Sequence, residues 1–364
     1  MDHRLPPAAR LVALVSLCVG LWLAPASAET SGSICDLTTS QRIVAVGDVH
    51  GAYAPFVRIL RAAGLIDEDR RWIGGAAVLV QTGDIVDRGP DSRLTLDLLR
   101  RLEGEAAAAG GRVLALLGNH EVLWMYGDTR YASAEEYEAF RSDQSEAIRE
   151  RQYQALVGTM LQRSAAAGQR FDEPAFRQQF LSETPLGAVE LRMAFAPTGE
   201  YGRWLLEHDT IVKVNGIVFL HGGVSPEVAS RGCEKINDTV RREIRRRDTD
   251  PDTLALSPDG PLWYRDLMLE QERTFRPKID EILRTLDARA IVVGHTTSAQ
   301  GVILTRFDMR AIEIDTGMVA GGFYPGGQAS ALEIQGNTMT AIYEDGRQLI
   351  GELPPLVTSP VAAR

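Results

Sequence analysis

Short apolar runs rich in β-branched residues recur along the chain, and several lead to a glycine followed by a polar residue. Ile43 to Val46 runs into Gly47-Asp48, Ala77 to Gln81 leads to Gly83-Asp84, and Val113 to Leu117 meets Gly118-Asn119. Runs this short, bounded by turn residues, predict strands. Between them the spacing changes. Residues 53–63 predict an amphipathic helix, and Ser92 to Leu102 sets Leu94, Leu98, Leu99 and Leu102 at helical intervals. Strand and helix alternating in this way predict βαβ units, whose parallel strands share one C-terminal edge. Ligand-binding residues of open α/β sheets gather on that edge.

The alternation stops over residues 130–205, which are polar, charged and rich in Ala and Gln, and which predict an inserted helical cap. Strands resume as Ile211 to Val214 and Ile217 to Leu220, joined at Asn215-Gly216, a strong hairpin signal. A loop-rich stretch follows, then a helix over 269–287 and a strand from Ile291 to Val293. Residues 302–346 alternate strand-like runs with turns, as in a second sheet, and 351–364 is expected to be a disordered tail. At 364 residues the chain reads as an α/β protein whose main domain, 29–350, carries the insert.

Residues 1–28 have the pattern of an export signal. Arg4 and Arg10 precede the apolar run Leu11 to Ala24, and Ala26-Ser27-Ala28 supplies a small-x-small cleavage site. The run is shorter than the roughly 20 residues that span a bilayer. Cleavage after Ala28 and a periplasmic or secreted location are expected, with no stable membrane anchor afterwards; an uncleaved anchor is the alternative. Cys35 and Cys233 then remain. An exported compartment permits a bridge between them, and two unpaired thiols are the other reading. The net charge of −10 argues against wholesale nucleic-acid binding, and there is no basic aromatic groove for it.

The chemistry sits in the motifs after the strands. They are Gly47-Asp48-Val49-His50-Gly51, Gly83-Asp84-Ile85-Val86-Asp87-Arg88-Gly89, Gly118-Asn119-His120-Glu121, Leu220-His221-Gly222-Gly223 and Val293-Gly294-His295-Thr296. Four of the six His fall in them. Asp48 and His50, two apart at a strand end, point to the same side. With Asp84, Asn119, His221 and His295 they make enough ligands for two divalent cations if one carboxylate bridges. Oxygen and imidazole donors without Cys suit Mn, Fe or Zn, Mn being the first expectation in vitro. Gly47, Gly83, Gly118 and Gly294 each precede a ligand, where a tight turn calls for permissive backbone angles.

These motifs resemble those of the calcineurin-like metallophosphoesterases and, within them, the phosphoprotein phosphatase family. Trp263-Tyr264-Arg265 and the leader look most like the bacterial Shewanella-like branch. The resemblance covers roughly 42–320; the helical insert and Asp315-Thr316-Gly317 depart from the eukaryotic enzymes. It implies a four-layer α-β-β-α sandwich. It implies one metal on Asp48, His50 and Asp84, and a second on Asp84, Asn119, His221 and His295, with Asp84 as the bridge. Two such cations lower the pKa of a shared water and clamp an in-line displacement at phosphorus. His120 would act as general acid, oriented by Asp87; Arg88 and, more weakly, Arg265 would bind phosphate. Glu121 is expected to support its loop.

The implied activity is an exported phosphomonoesterase acting on phosphoprotein. A diadenosine-tetraphosphate-type nucleotide hydrolase or phosphodiesterase is the alternative, although the nucleotide hydrolases do not resemble the chain at Asp87. A non-catalytic phosphate-binding module would be expected to have lost one of these residues. Tyrosine versus serine or threonine preference and oligomeric state stay open.

Overall fold

The computed structural model describes residues 35–357, so the proposed leader and the last residues of the expected tail lie outside the described part. Strand β1 (Ile43–Val46), helix α1 (Tyr53–Ala62), β2 (Val78–Gln81), α2 (Ser92–Ala108), β3 (Arg112–Ala115) and α3 (Asn119–Tyr126) form the first run. Their strands pair in parallel, β1 with β2 and β2 with β3. The insert supplies α4 (Ala134–Ala139), α5 (Ser145–Ala166), α6 (Glu173–Glu183), α7 (Ala188–Phe195) and α8 (Glu200–Leu205). There follow β4 (Ile211–Val214), β5 (Ile217–Leu220), α9 (Pro226–Ala229), α10 (Cys233–Arg246), α11 (Asp266–Leu269), α12 (Glu272–Thr285), β6 (Ala290–Val293), β7 (Leu304–Arg306) and β8 (Ala311–Glu313). The last elements are β9 (Ser330–Gln335), β10 (Thr338–Tyr343) and β11 (Gly346–Glu352). No helix among the described residues is long and apolar enough to cross a membrane.

Two mixed sheets result, ordered β11-β10-β9-β1-β2-β3 and β4-β5-β6-β8-β7. Strand alternation explains the layers. Ile43, Ala45, Val78 and Val80 of one sheet share a buried cluster with Val212, Phe219, Val292 and Ile312 of the other. The alternate residues, Val44, Val46, Leu79, Val218, Leu220, Ile291 and Val293, bury instead with the helices outside. Both faces of each sheet are therefore apolar, and the α-β-β-α sandwich follows. The buried leucines of α2 are Leu96, Leu98, Leu99 and Leu102, whereas Leu94 is exposed.

Three expectations change. Residues 302–346 do not all belong to a second sheet: β7 and β8 do, but β9, β10 and β11 join the first sheet. β9 lies antiparallel on the open edge of β1, Ile43 opposite Ile334, and turns Leu332 and Ile334 into the inter-sheet core. β3 ends at Ala115 rather than Leu117, since the Leu117 N–H donates to Asp209 O (3.1 Å) after the chain leaves the strand. β11 runs to Glu352, into the segment expected to be a disordered tail, because pairing with β10 satisfies its backbone.

The insert is anchored through its last two helices. Phe195 and Tyr201 stack (5.3 Å between ring centroids), and Phe195 meets Trp124 of α3 edge-on at 4.7 Å. Tyr201 donates to Asp97 (2.8 Å), and Trp204 Nε1 to Glu103 (2.9 Å), both on α2. Ahead of these anchors α5 and α6 bury a small cluster of their own, Tyr153, Val157 and Phe180.

Candidate metal centre

Parallel pairing brings the motifs together. β1, β2 and β3 end side by side in one sheet, and β5, β6 and β8 in the other, so every motif leaves its strand at the same rim. The loops are cross-tied: Val49 and His50 N–H both donate to Asp84 O at 2.9 Å, and Gly294 N–H to His221 O at 2.8 Å.

Five of the site residues carry backbone strain. His50, Asp84, Asp87, Arg88 and His295 have φ of 48°, 55°, 74°, 68° and 66°, left-handed values that non-glycine residues adopt at a cost of order 1–3 kcal/mol each. Of the glycines before ligands, only Gly83 (φ 93°) needs the expected freedom. The others are required for space. A Cβ on Gly294 would stand 2.2 Å from Asp48 Oδ1, one on Gly118 2.3 Å from Asp84 Oδ1, and one on Gly47 2.4 Å from Ile314 O. The turn argument thus holds for one site and close approach for the rest.

Asp84 is the hub. Its Oδ2 lies 3.3 Å from His221 Nε2, 3.5 Å from His50 Nε2 and 3.8 Å from His120 Nε2, while Oδ1 accepts the His120 N–H (3.0 Å). Its ligand atom sits within 4.8 Å of those of two buried sets, His50 with His120 and His221 with His295. Asp48 Oδ2 is 3.8 Å from His50 Nε2, and its carboxylate accepts the His295 N–H at 3.2 Å. Asn119 Oδ1 is 2.8 Å from His221 Nε2.

Tautomers follow from the carbonyls behind the rings. His50 Nδ1 is 2.9 Å from Val86 O and His221 Nδ1 3.0 Å from Thr82 O, so a neutral ring at either place carries its proton on Nδ1 and turns an Nε2 lone pair inward. Buried His295 Nε2 has no hydrogen-bond partner among the described residues. Burial, with His221 and Arg265 nearby, pushes His295 down to about 2, so it is neutral. Burial and then Asp315, Asp84 and Glu313 push Asp48 well above the usual carboxylate range. Burial also raises Asp84, but His221, His120 and His50 outweigh it and hold it well below that range. Inward lone pairs, an orphaned imidazole nitrogen and mutually repelling buried carboxylates fit a site for two metal ions.

Asp87 and His120 stand beside this hub. Asp87 Oδ2 is 2.7 Å from His120 Nδ1, and Asp87 Oδ1 accepts Trp124 Nε1–H at 2.6 Å. Burial lowers His120, but the carboxylates of Asp84 and Asp87 outweigh it and hold it above the usual imidazole range. Arg88 reaches the same space, its Nη1 on His50 Nε2 and the Tyr324 hydroxyl, its Nη2 3.1 Å from His120 Nε2. It makes no ion pair among the described residues. Arg265 is placed differently. Nη1 donates to His295 O (2.6 Å), and its other contacts, at 3.5 Å, also fall on His295 and Thr296.

Several site residues escaped the sequence reading. Glu121 was assigned to its loop, but the extent of its hold was not visible. It accepts N–H groups from Gly118, Asp84, Ile85 and Val86 at 2.7–3.2 Å, tying the second motif to the third. Asp315 accepts the Thr297 hydroxyl (2.5 Å) and the Gly317 N–H (3.0 Å), close behind Asp48. Glu313 accepts the Asp315 N–H (2.7 Å). Tyr131 places its ring 5.3 Å from that of His120, and Trp263 lies 5.9 Å from His295. Asp315-Thr316-Gly317, a charged turn after an apolar strand, and Trp263-Tyr264-Arg265 were the available signals.

The calcineurin-like phosphoesterase family matches residues 41–298. Shewanella-like protein phosphatase 2 of Arabidopsis thaliana is 30% identical over 77% of this chain and 72% of its own length. Shewanella-like protein phosphatase 1 of Plasmodium berghei is 29% identical over 76% and 67%. Among solved structures, the cold-active protein-tyrosine phosphatase of a psychrophilic Shewanella species is 26% identical, covers 89% of this chain and 85% of its own, and superposes with a TM-score of 0.66. With well over half of its length matched by the family, the chain belongs to the calcineurin-like phosphoesterases and is a hydrolase of phosphate esters.

Proposed function

We propose that the chain is an exported, metal-dependent phosphoprotein phosphatase. The observation that carries the chemistry is Asp84 Oδ2, one carboxylate oxygen facing both imidazole sets while the Asp87–His120 pair stands alongside. In this reading Asp48, His50 and Asp84 hold one cation, and Asp84, Asn119, His221 and His295 the other. When bound, two divalent cations, Mn²⁺ as the first candidate, would supply Lewis-acid activation and charge neutralisation at phosphorus.

The remaining work is done by protein groups. Arg88 would present to the phosphate oxygens a planar fork that has no carboxylate partner among the described residues. Arg265 braces the His295 carbonyl and is the weaker candidate for a second phosphate contact. His120, whose protonated form its carboxylate neighbours favour, would deliver the Nε2 proton to the departing ester oxygen. Asp87 fixes the ring by accepting Nδ1–H, and Trp124 fixes Asp87.

Phosphoprotein is proposed as the substrate because the relatives above carry protein-phosphatase names, which also weighs against the nucleotide hydrolase. Export is supported by the leader pattern and by the Cys35–Cys233 disulfide, a bond that persists in oxidising compartments. The test is phosphate release by the purified protein in Mn²⁺. Phosphotyrosine peptide, phosphothreonine peptide and diadenosine tetraphosphate are the substrates, with Asp84→Asn as control. Turnover of a phosphopeptide, lost in the variant, is expected. Cleavage of the dinucleotide alone would overturn the phosphoprotein reading.

A further inference from the structure

Asp87 and Arg88 are consecutive non-glycine residues with left-handed backbones, so something must hold them there. Part of the restraint comes from the helical insert. The Arg88 N–H donates to Tyr131 O at 3.1 Å. The Asp87 N–H donates to Ser92 Oγ at 3.1 Å, and the Ser92 hydroxyl donates onward to Glu136 Oε1. Glu136 lies in α4, 0% exposed, 44 residues from Ser92 in sequence. It also accepts the Ser92 N–H at 3.2 Å, serving the start of α2, where Asp91 makes no side-chain cap. Its Oε1 would stand 3.1 Å from a Cβ on Gly51, so it packs against the turn that follows His50. A buried carboxyl in such a place costs stability unless it is held by hydrogen bonds, and its second oxygen has no partner among the described residues.

We propose that Glu136 is a positioning residue for the Asp87–His120 pair, acting through Ser92, so that the first helix of the insert sets the efficiency of leaving-group protonation. The inference rests on the phosphatase reading and assigns the insert a part in it. Ser92 Oγ–H must point at Glu136 to leave its lone pair for the Asp87 N–H; without that acceptor the hydroxyl can rotate and the Asp87 turn is released. Glutamine supplies the same carbonyl oxygen, whereas alanine supplies none.

The experiment compares kcat on phenyl phosphate, a poor leaving group that needs the acid, with kcat on 4-nitrophenyl phosphate, which barely does. Wild type, Glu136→Ala, Glu136→Gln, Ser92→Ala and His120→Asn are measured in Mn²⁺, with metal content and melting checked for each. Glu136→Ala and Ser92→Ala are expected to lose roughly tenfold more on phenyl phosphate than on 4-nitrophenyl phosphate. Glu136→Gln should restore the wild-type ratio, and Ser92→Ala should add little further loss in a His120→Asn background. Equal losses on both substrates, or full additivity with His120→Asn, would overturn the inference. If Glu136→Ala does not fold, Ser92→Ala decides alone. Wild-type protein that released phosphate from neither substrate would sink the catalytic reading, and this one with it.

Discussion

Asp87 Oδ2 and His120 Nδ1 are 2.7 Å apart, both buried, with Asp87 held from behind by Trp124 Nε1. That contact points the His120 Nε2 toward the space shared by Arg88 and Asp84. His120→Asn should therefore lower kcat by about 10² to 10⁴ with metal content near wild type. His120 is also close enough to His50 and Asp84 to belong to a ligand set. Elemental analysis showing loss of a metal in the variant would make it a ligand instead.

Asp84 faces His50, His120 and His221 through one oxygen. Asp84→Asn should weaken both cations together and nearly abolish turnover. Titration with Mn²⁺ followed by calorimetry checks this. Loss of a single site, with the other unchanged, would mean that Asp84 does not bridge.

Burial pushes Glu136 up to about 8, with Asp87 and Asp91 adding to it and Ser92 opposing. An acid whose folded pKa is raised binds its proton more tightly in the folded state. Its contribution to stability is full below about 4.5 and is lost as pH rises through about 8. The whole effect is at most about 5 kcal/mol at 1.36 kcal/mol per unit. Glu136→Gln should flatten the fall in stability between these values, measured as urea midpoints across pH. An unchanged slope would mean that Glu136 is ionised in the fold.

The Cys35–Cys233 disulfide spans 198 residues and ties the chain ahead of β1 to the start of α10. Closing so long a loop restricts the unfolded chain, and removal of such a bridge typically costs about 2–5 kcal/mol. Reductant, or Cys233→Ser, should lower the melting temperature. Identical melts with and without reductant would show that the bridge contributes nothing to stability.

Gly294→Ala places a methyl 2.2 Å from Asp48 Oδ1, which must then move. Weaker binding of one cation with a near-normal circular dichroism spectrum is expected. Unchanged metal affinity would mean that the Asp48 loop shifts freely.

Local pattern carried the short strands, the first helices and the residues with metal-binding chemistry. The unbroken apolar runs around Ile43–Val46 and Val78–Gln81 mark the strands, and the motifs follow each strand within a few residues. The resemblance then assigned roles that spacing alone cannot. What sequence could not show was pairing between distant segments. Nothing local in Ser330–Gln335 says that it will cover the edge of β1, and nothing in Glu136 says that it will reach Ser92. Asp315 stood out only as part of an unusual strand ending, and nothing local in it or Glu313 says that their charges will fall beside Asp48. The sequence by itself determined the strand runs, the turn residues and the donor atoms, because these depend on neighbours along the chain. The tertiary structure decided which edge is covered, which glycines are there for space and which carboxyls are forced together, because those depend on contacts between residues far apart in the chain.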